Sequence, residues 1–225
     1  MTAAEALGER VLRLARDDRP LAHLELQQDV VYPHLSPGNR THYIDRSLAI
    51  GREQAGEYRT PDSDLRKWAL ALGAKVEISD SPNFCAGIAM RSEYDAATRT
   101  ITVYEPSIVE FGAALDALKC VPWPRERIVA VHIAHELFHH LEATRIVPVH
   151  LQLPAVVTGR IGPFPREMRA RRCREIAAHA FARELLHLPF APNAVDWLLL
   201  LARRPEHGES LGHCLDVAER AMGES

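Results

Sequence analysis

The chain has 225 residues, 47% of them hydrophobic and 25% charged, with a formal net charge of -3. That length can bury a substantial core, and the composition excludes wholesale disorder and a collagen-like repeat. A net charge so near zero excludes a general attraction to nucleic acid or to an anionic membrane, so no direct nucleic-acid binding is expected.

Charges begin at Glu5 and no apolar stretch near the start is long enough for a signal peptide. The longest later apolar run, Trp197 to Ala202, is far too short to cross a bilayer. A cytoplasmic protein without a membrane segment is expected. Cys85, Cys120, Cys173 and Cys214 are scattered and include no CxxC pair, so they are expected as reduced thiols packed as small hydrophobes.

Residues 3–17 carry Ala6, Leu7, Val11, Leu14 and Ala15 at helical spacing, and Pro20 predicts a stop. A second amphipathic piece follows around Leu24 to Tyr32, then a turn at Ser36 to Asn39 and a polar stretch through Arg59. Asp62 or Ser63 can cap a helix through Leu65, Trp68, Ala69 and Leu72 that ends at Gly73. Three strands are then expected, at 74–79, 86–94 and 99–105, the last two joined as a hairpin by the turn at Asp95 to Thr98. Pro106 and Ser107 open a helix from Ile108 to about Leu118, which Pro122 and Pro124 end.

The next helix holds the chemistry. It contains His135-Glu136-Leu137-Phe138-His139. Residues four apart on a helix share a face, so His135 and His139 can offer two imidazole nitrogens to one metal ion while Glu136 stands beside it. Zinc held by two histidines, a third protein ligand and an open position acidifies its water, and an adjacent carboxylate can take the proton. That is the apparatus of a metallopeptidase. Ala130, Ile133, Ala134, Leu137 and Leu141 form a stripe roughly opposite the histidines, which predicts a helix between two layers, the sheet and a partner helix. His132, Glu136 and His140 repeat at the same spacing on a neighbouring face and form a competing register.

Residues 144–165, rich in Pro and Gly, are expected as an ordered loop or hairpin over the cleft. A helix from about Arg166 to Leu188 then places Glu175, Ala178, His179, Ala182 and Leu186 on one face. Glu175 is the candidate third ligand, and His179 is a rival ligand or a transition-state donor; His150 is a further candidate for oxyanion support. The arginines from Arg166 to Arg174 read as a solvated helix start rather than a nucleic-acid patch, because no aromatics interleave them. Two helices, around Ala194 to Arg203 and Ser210 to Met222, close the chain. The expected fold is α+β: a small antiparallel three-stranded sheet packed on a metal-binding helix pair, with N- and C-terminal helical extensions. The expected division is residues 1–60, 61–189 and 190–225.

The order of a strand-rich segment, ITVYEPSI, VAVHIAHELFHHLE and EIAAHAFARELLHLP resembles the ImmA/IrrE family of zinc metallopeptidases over about residues 62 to 189. The resemblance implies a zincin-like domain with His135 and His139 as zinc ligands, Glu136 as general base and Glu175 as third ligand. It also implies a protein substrate, a DNA-binding transcriptional repressor cleaved in a stress or mobile-element response. His179 stands where the family usually has Asn or Asp, and Ala177 where a second glutamate is common. These departures motivate a rival reading, a zinc-containing regulatory protein that captures its partner without cutting it.

Overall fold

The computed structural model describes residues 2–58, 64–85, 88–118 and 123–223. The class is α+β, mostly helical with small sheets. Four helices come first: α1 (Ala3–Leu14), α2 (Asp18–Gln27), α3 (Pro37–Glu57) and α4 (Leu65–Leu72). Five strands follow: β1 (Lys75–Ser79), β2 (Phe84–Cys85), β3 (Ile88–Ala89), β4 (Ser92–Asp95) and β5 (Thr100–Tyr104). Helices α5 (Glu105–Leu118) and α6 (Arg125–Thr144) lead to the hairpin of β6 (Val156–Ile161) and β7 (Phe164–Met168). Helices α7 (Cys173–Leu185), α8 (Ala194–Arg203) and α9 (Gly208–Gly223) complete the chain.

Pro20 does not stop a helix. It lies in the first turn of α2, where a missing N–H costs nothing, after the cap formed by Asp17. The expected turn at Ser36 to Asn39 is likewise the start of a helix: Ser36 accepts a hydrogen bond from the Asn39 N–H, and Pro37 occupies the first turn of α3. The cap of α4 is Asp64, and Gly73 ends that helix with φ 95°, a left-handed conformation suited to glycine. The expected caps Asp62 and Ser63 lie outside the described residues.

The three-stranded sheet has the order β1-β5-β4. The β4–β5 hairpin is antiparallel as expected, but β1 runs parallel to β5, so the sheet is mixed. The physical reason is the long connection from β1 to β4, which lets β5 return between them and leaves β4 on a free edge. Residues 86–94 do not form one strand: β3 pairs with β2 in a separate small hairpin, and the pairing with β5 begins at Ser92. Residues 86 and 87 lie outside the described residues.

One hydrophobic core joins Val11 and Ile44 from the first sixty residues, Ile101, Phe138 and Phe181 from the middle, and Leu198 and Leu215 from the last helices. Helix α6 lies between β4 and β5 on one side and α7 on the other. Helix α3 packs along α7 at Gly51: a Cβ there would sit 2.2 Å from the carbonyl oxygen of Ala177 and 2.9 Å from the Cβ of Ala180. Only glycine permits that approach. Helix α7 starts at Cys173, not Arg166, because residues 164–168 pair with 156–161 and are used up as strand.

Candidate metal centre

Helix α6 presents His135 and His139 on one face, and α7 crosses them with Glu175 in its first turn. The two Nε2 atoms are 3.2 Å apart, and Glu175 Oε2 lies 3.3 Å from His135 Nε2 and 3.4 Å from His139 Nε2. A tetrahedral ion with ligand bonds of about 2.0–2.1 Å separates its donor atoms by about 3.3–3.4 Å. The triangle therefore has the size such an ion needs. This group can hold a metal ion, and among the described residues no other His, Cys, Asp or Glu group of three can.

Electrostatics favour a cation at the same point. Burial works against ionising Glu175, but its contacts with His135 and His139 hold its carboxyl far below the usual range. Burial also disfavours a charged His139, yet the carboxylates of Glu142, Glu175 and Glu136 outweigh it and raise the pKa to about 9.

Glu136 follows His135 and is nearly buried, and its Oε1 accepts a hydrogen bond from Ser92 Oγ at 2.7 Å. Ser92 begins the edge strand β4, so the carboxylate beside the donor group is tied to the strand that borders it. His179, one turn after Glu175, stands with its ring centroid 4.6 Å from that of His135 and is not among the three donors. Burial, followed by the nearby His135, holds its pKa well below the ordinary value, so its ring is neutral.

The competing register does not come together. Both nitrogens of His140 are engaged: Nε2 donates to the carbonyl of Leu72 at 3.1 Å, and Nδ1 accepts from the Tyr94 hydroxyl at 2.9 Å. His132 Nδ1 donates to the carbonyl of Ile128 at 2.8 Å, and its ring meets Phe111 edge-on. Comparison with protein-family models, with curated proteins and with solved structures finds no match.

A cleft of about 340 Å³ opens beside the donors, bordered by Ser92, His135, Glu136, Glu175 and His179. Its far wall is apolar, made by Phe111, Trp123, Val131 and Val195, with Arg91 and Asp196 paired at the rim. A second hollow on the other side of the donors is bordered by Tyr94, Ala96, His139 and Arg174. The two share Met90, Ser92, His135, Glu136 and Glu175, so the donors sit in the middle of a groove along β4.

The segment 144–168 does not cover this groove. None of it borders either hollow; His150, Leu151, Glu167 and Met168 line a separate cavity with Gln28, Asp29 and Val30. The hairpin turns outward, with Ile161 and Phe164 about 70% exposed. His150 therefore lies away from the donors. Arg166, Arg169, Arg171 and Arg172 are solvent-exposed as expected and Arg174 is partly so, but they also make contacts: Arg169 donates to the carbonyls of His150 and Leu153, Arg172 pairs with Glu25, and Arg174 pairs with Glu142.

Ala177 is fully buried and its carbonyl meets α3 at Gly51, whereas Glu175 faces α6. At about 100° per residue the two positions lie on opposite faces of α7. Sequence reasoning missed Ser92, Tyr94, Glu142 and Arg174 as neighbours of the site. The Ser92 hydroxyl had no signal short of the β4 register; Glu142, one turn after His139, did.

No helix among the described residues is long and apolar enough to cross a membrane. Cys85, Cys173 and Cys214 are free thiols, and Cys120 lies outside the described residues.

Proposed function

We propose that the chain is a zinc-dependent endopeptidase of the ImmA/IrrE type, working in the cytoplasm on a protein substrate. The observation that carries this is the triangle His135, His139 and Glu175 with Glu136 adjoining it and held by Ser92. Two imidazoles and one carboxylate make a donor set suited to zinc, and three protein ligands leave a position open. When bound, zinc supplies Lewis acidity towards the scissile carbonyl and the attacking water.

The chain's own residues do the rest. The free edge of β4 offers backbone hydrogen bonds to an extended peptide lying in the groove. Glu136 has one oxygen held by Ser92, and the other would take the proton of the attacking water and return it to the leaving amine. The neutral His179 has an N–H to donate to the developing oxyanion. The cavity walled by Phe111, Trp123, Val131 and Val195 receives a bulky apolar side chain next to the scissile bond. By resemblance, the substrate is a transcriptional repressor whose cleavage releases a stress or mobile-element response.

The test is bound zinc together with cleavage of candidate repressors by wild type and Glu136→Gln. Stoichiometric zinc with cleavage that the variant loses supports the proposal. Intact repressor captured equally by both proteins would instead mark a regulatory protein that binds without cutting.

A further inference from the structure

His132 stands three residues before His135 on α6 and is not one of the three donors, yet its ring borders the cleft together with Phe111, Trp123, Val131 and Val195. Its Nδ1 lies 2.8 Å from the carbonyl oxygen of Ile128, one turn back on the same helix. A carbonyl only accepts, so Nδ1 carries the ring's N–H. Burial, followed by the charge of Arg91, pushes the pKa down to about 3, so the ring is neutral and Nε2 bears a lone pair. Among the described residues no group donates to that nitrogen, which lies on the side of the ring away from the helix backbone. Phe111 meets the ring edge-on at 5.8 Å, and the Arg91 guanidinium lies 5.3 Å from the Phe111 centroid and is paired with Asp196. The nearby cation is thus committed elsewhere, and an acceptor is left over among apolar walls.

We infer that His132 Nε2 is the hydrogen-bond acceptor of the apolar cavity, and that the side chain the cavity selects is an aromatic one with its own donor, tyrosine or tryptophan. A phenylalanine or leucine entering there strips water from Nε2 and leaves the lone pair unpaired. The tyrosine O–H or the indole N–H replaces that water instead, while its ring covers the same apolar wall. One neutral hydrogen bond in such a place discriminates by about tenfold. That the aromatic belongs to a peptide substrate rests on the endopeptidase reading above; the preference of the cavity does not. His132 is then a specificity-determining residue that touches the substrate and moves no proton.

The experiment titrates N-acetyl-tyrosinamide and N-acetyl-phenylalaninamide into wild type and His132→Phe, following the ring nitrogens by nitrogen-15 NMR. It also compares kcat/KM for two peptides that differ only in tyrosine or phenylalanine beside the cleaved bond. Wild type is expected to bind the tyrosine amide, and to cut the tyrosine peptide, about tenfold better than the phenylalanine counterpart. The His132 Nε2 signal should move upfield with the tyrosine amide and stay in place with the other. In His132→Phe both ratios should fall to about one. A folded variant that keeps the wild-type ratios overturns the role of His132. Should the variant not fold, wild type decides alone: equal affinities, no binding of either amide at millimolar concentration, or an unmoved Nε2 signal each overturn the inference. Wild type that prefers the tyrosine amide but cuts neither peptide counts against the endopeptidase reading and leaves the preference of the cavity standing.

Discussion

Ser92 donates a 2.7 Å hydrogen bond to Glu136, and this contact joins the edge strand to the carboxylate beside the two histidines that can hold a metal ion. A hydrogen bond to a charged group contributes about 1.5–3 kcal/mol. Ser92→Ala is expected to lower kcat by about tenfold or more, while zinc content stays at the wild-type level. On the proposed function, Glu136→Gln is expected to keep zinc and lose cleavage. Zinc analysis and single-turnover kinetics on the two variants check both outcomes.

Removing the metal tests the donor triangle. An ion that binds only the folded chain stabilises it by about 2.7 kcal/mol at a hundred times its Kd. A strong chelator should therefore lower Tm, and added zinc should restore it. In Glu175→Ala the triangle loses one corner, so chelator and zinc should leave its Tm unchanged; a zinc-dependent rise in that variant would count against Glu175 as a ligand.

Gly51 controls how close α3 lies to α7. Any side chain there meets the Ala177 carbonyl at 2.2 Å, closer than real contacts allow, and backbone cannot swing aside. Gly51→Val is expected to destabilise the fold by about 3 kcal/mol or more. Zinc affinity should fall with it, because the displaced helix carries Glu175. Denaturant unfolding and zinc titration measure the two effects.

On the proposed function, the apolar wall of the cleft would set substrate preference. Val195 lies on α8, lines the cavity and is not one of the three donors. Val195→Trp should fill much of the space and lower kcat/KM for peptides with a bulky apolar residue beside the cleaved bond by about tenfold, while zinc affinity is unchanged. Peptides carrying alanine at that position should be cut as before.

Burial pushes the Cys173 thiol up to about 12, whereas Cys85 is exposed. A raised thiol pKa leaves almost no thiolate at pH 8. Alkylation of the native protein at that pH should mark Cys85 within minutes and spare Cys173 until the chain is unfolded, as mass spectrometry of the digested protein would show.

The candidate metal donors were legible because their chemistry is local. His135 and His139 share a helix face by spacing alone, and Glu175 stood out by its place on an alanine-rich face. Helix α3 was legible in principle: Ile44, Leu48, Gly51 and Ala55 recur at helical spacing behind a Ser36-Pro37 start. Its polar residues and the Pro-Gly pair disguised it as a turn. The start of α7 was misplaced for the opposite reason, since Arg166 and Met168 suit a helix and the pairing with β6 overrides that preference.

Two kinds of information thus separate in this chain. Periodicity along one helix, a property of neighbours a few residues apart, is enough to put two imidazoles and a carboxylate on one side of α6. How those groups are held depends on contacts between residues far apart in sequence: Ser92 on Glu136, Glu175 across His135 and His139, Arg174 on Glu142, and Gly51 against Ala177. Such contacts are set by strand order and by the distance between packed helices, which no local spacing encodes. The parallel pairing of β1 with β5 belongs to the same class, and it is what leaves β4 as the open edge beside the donors.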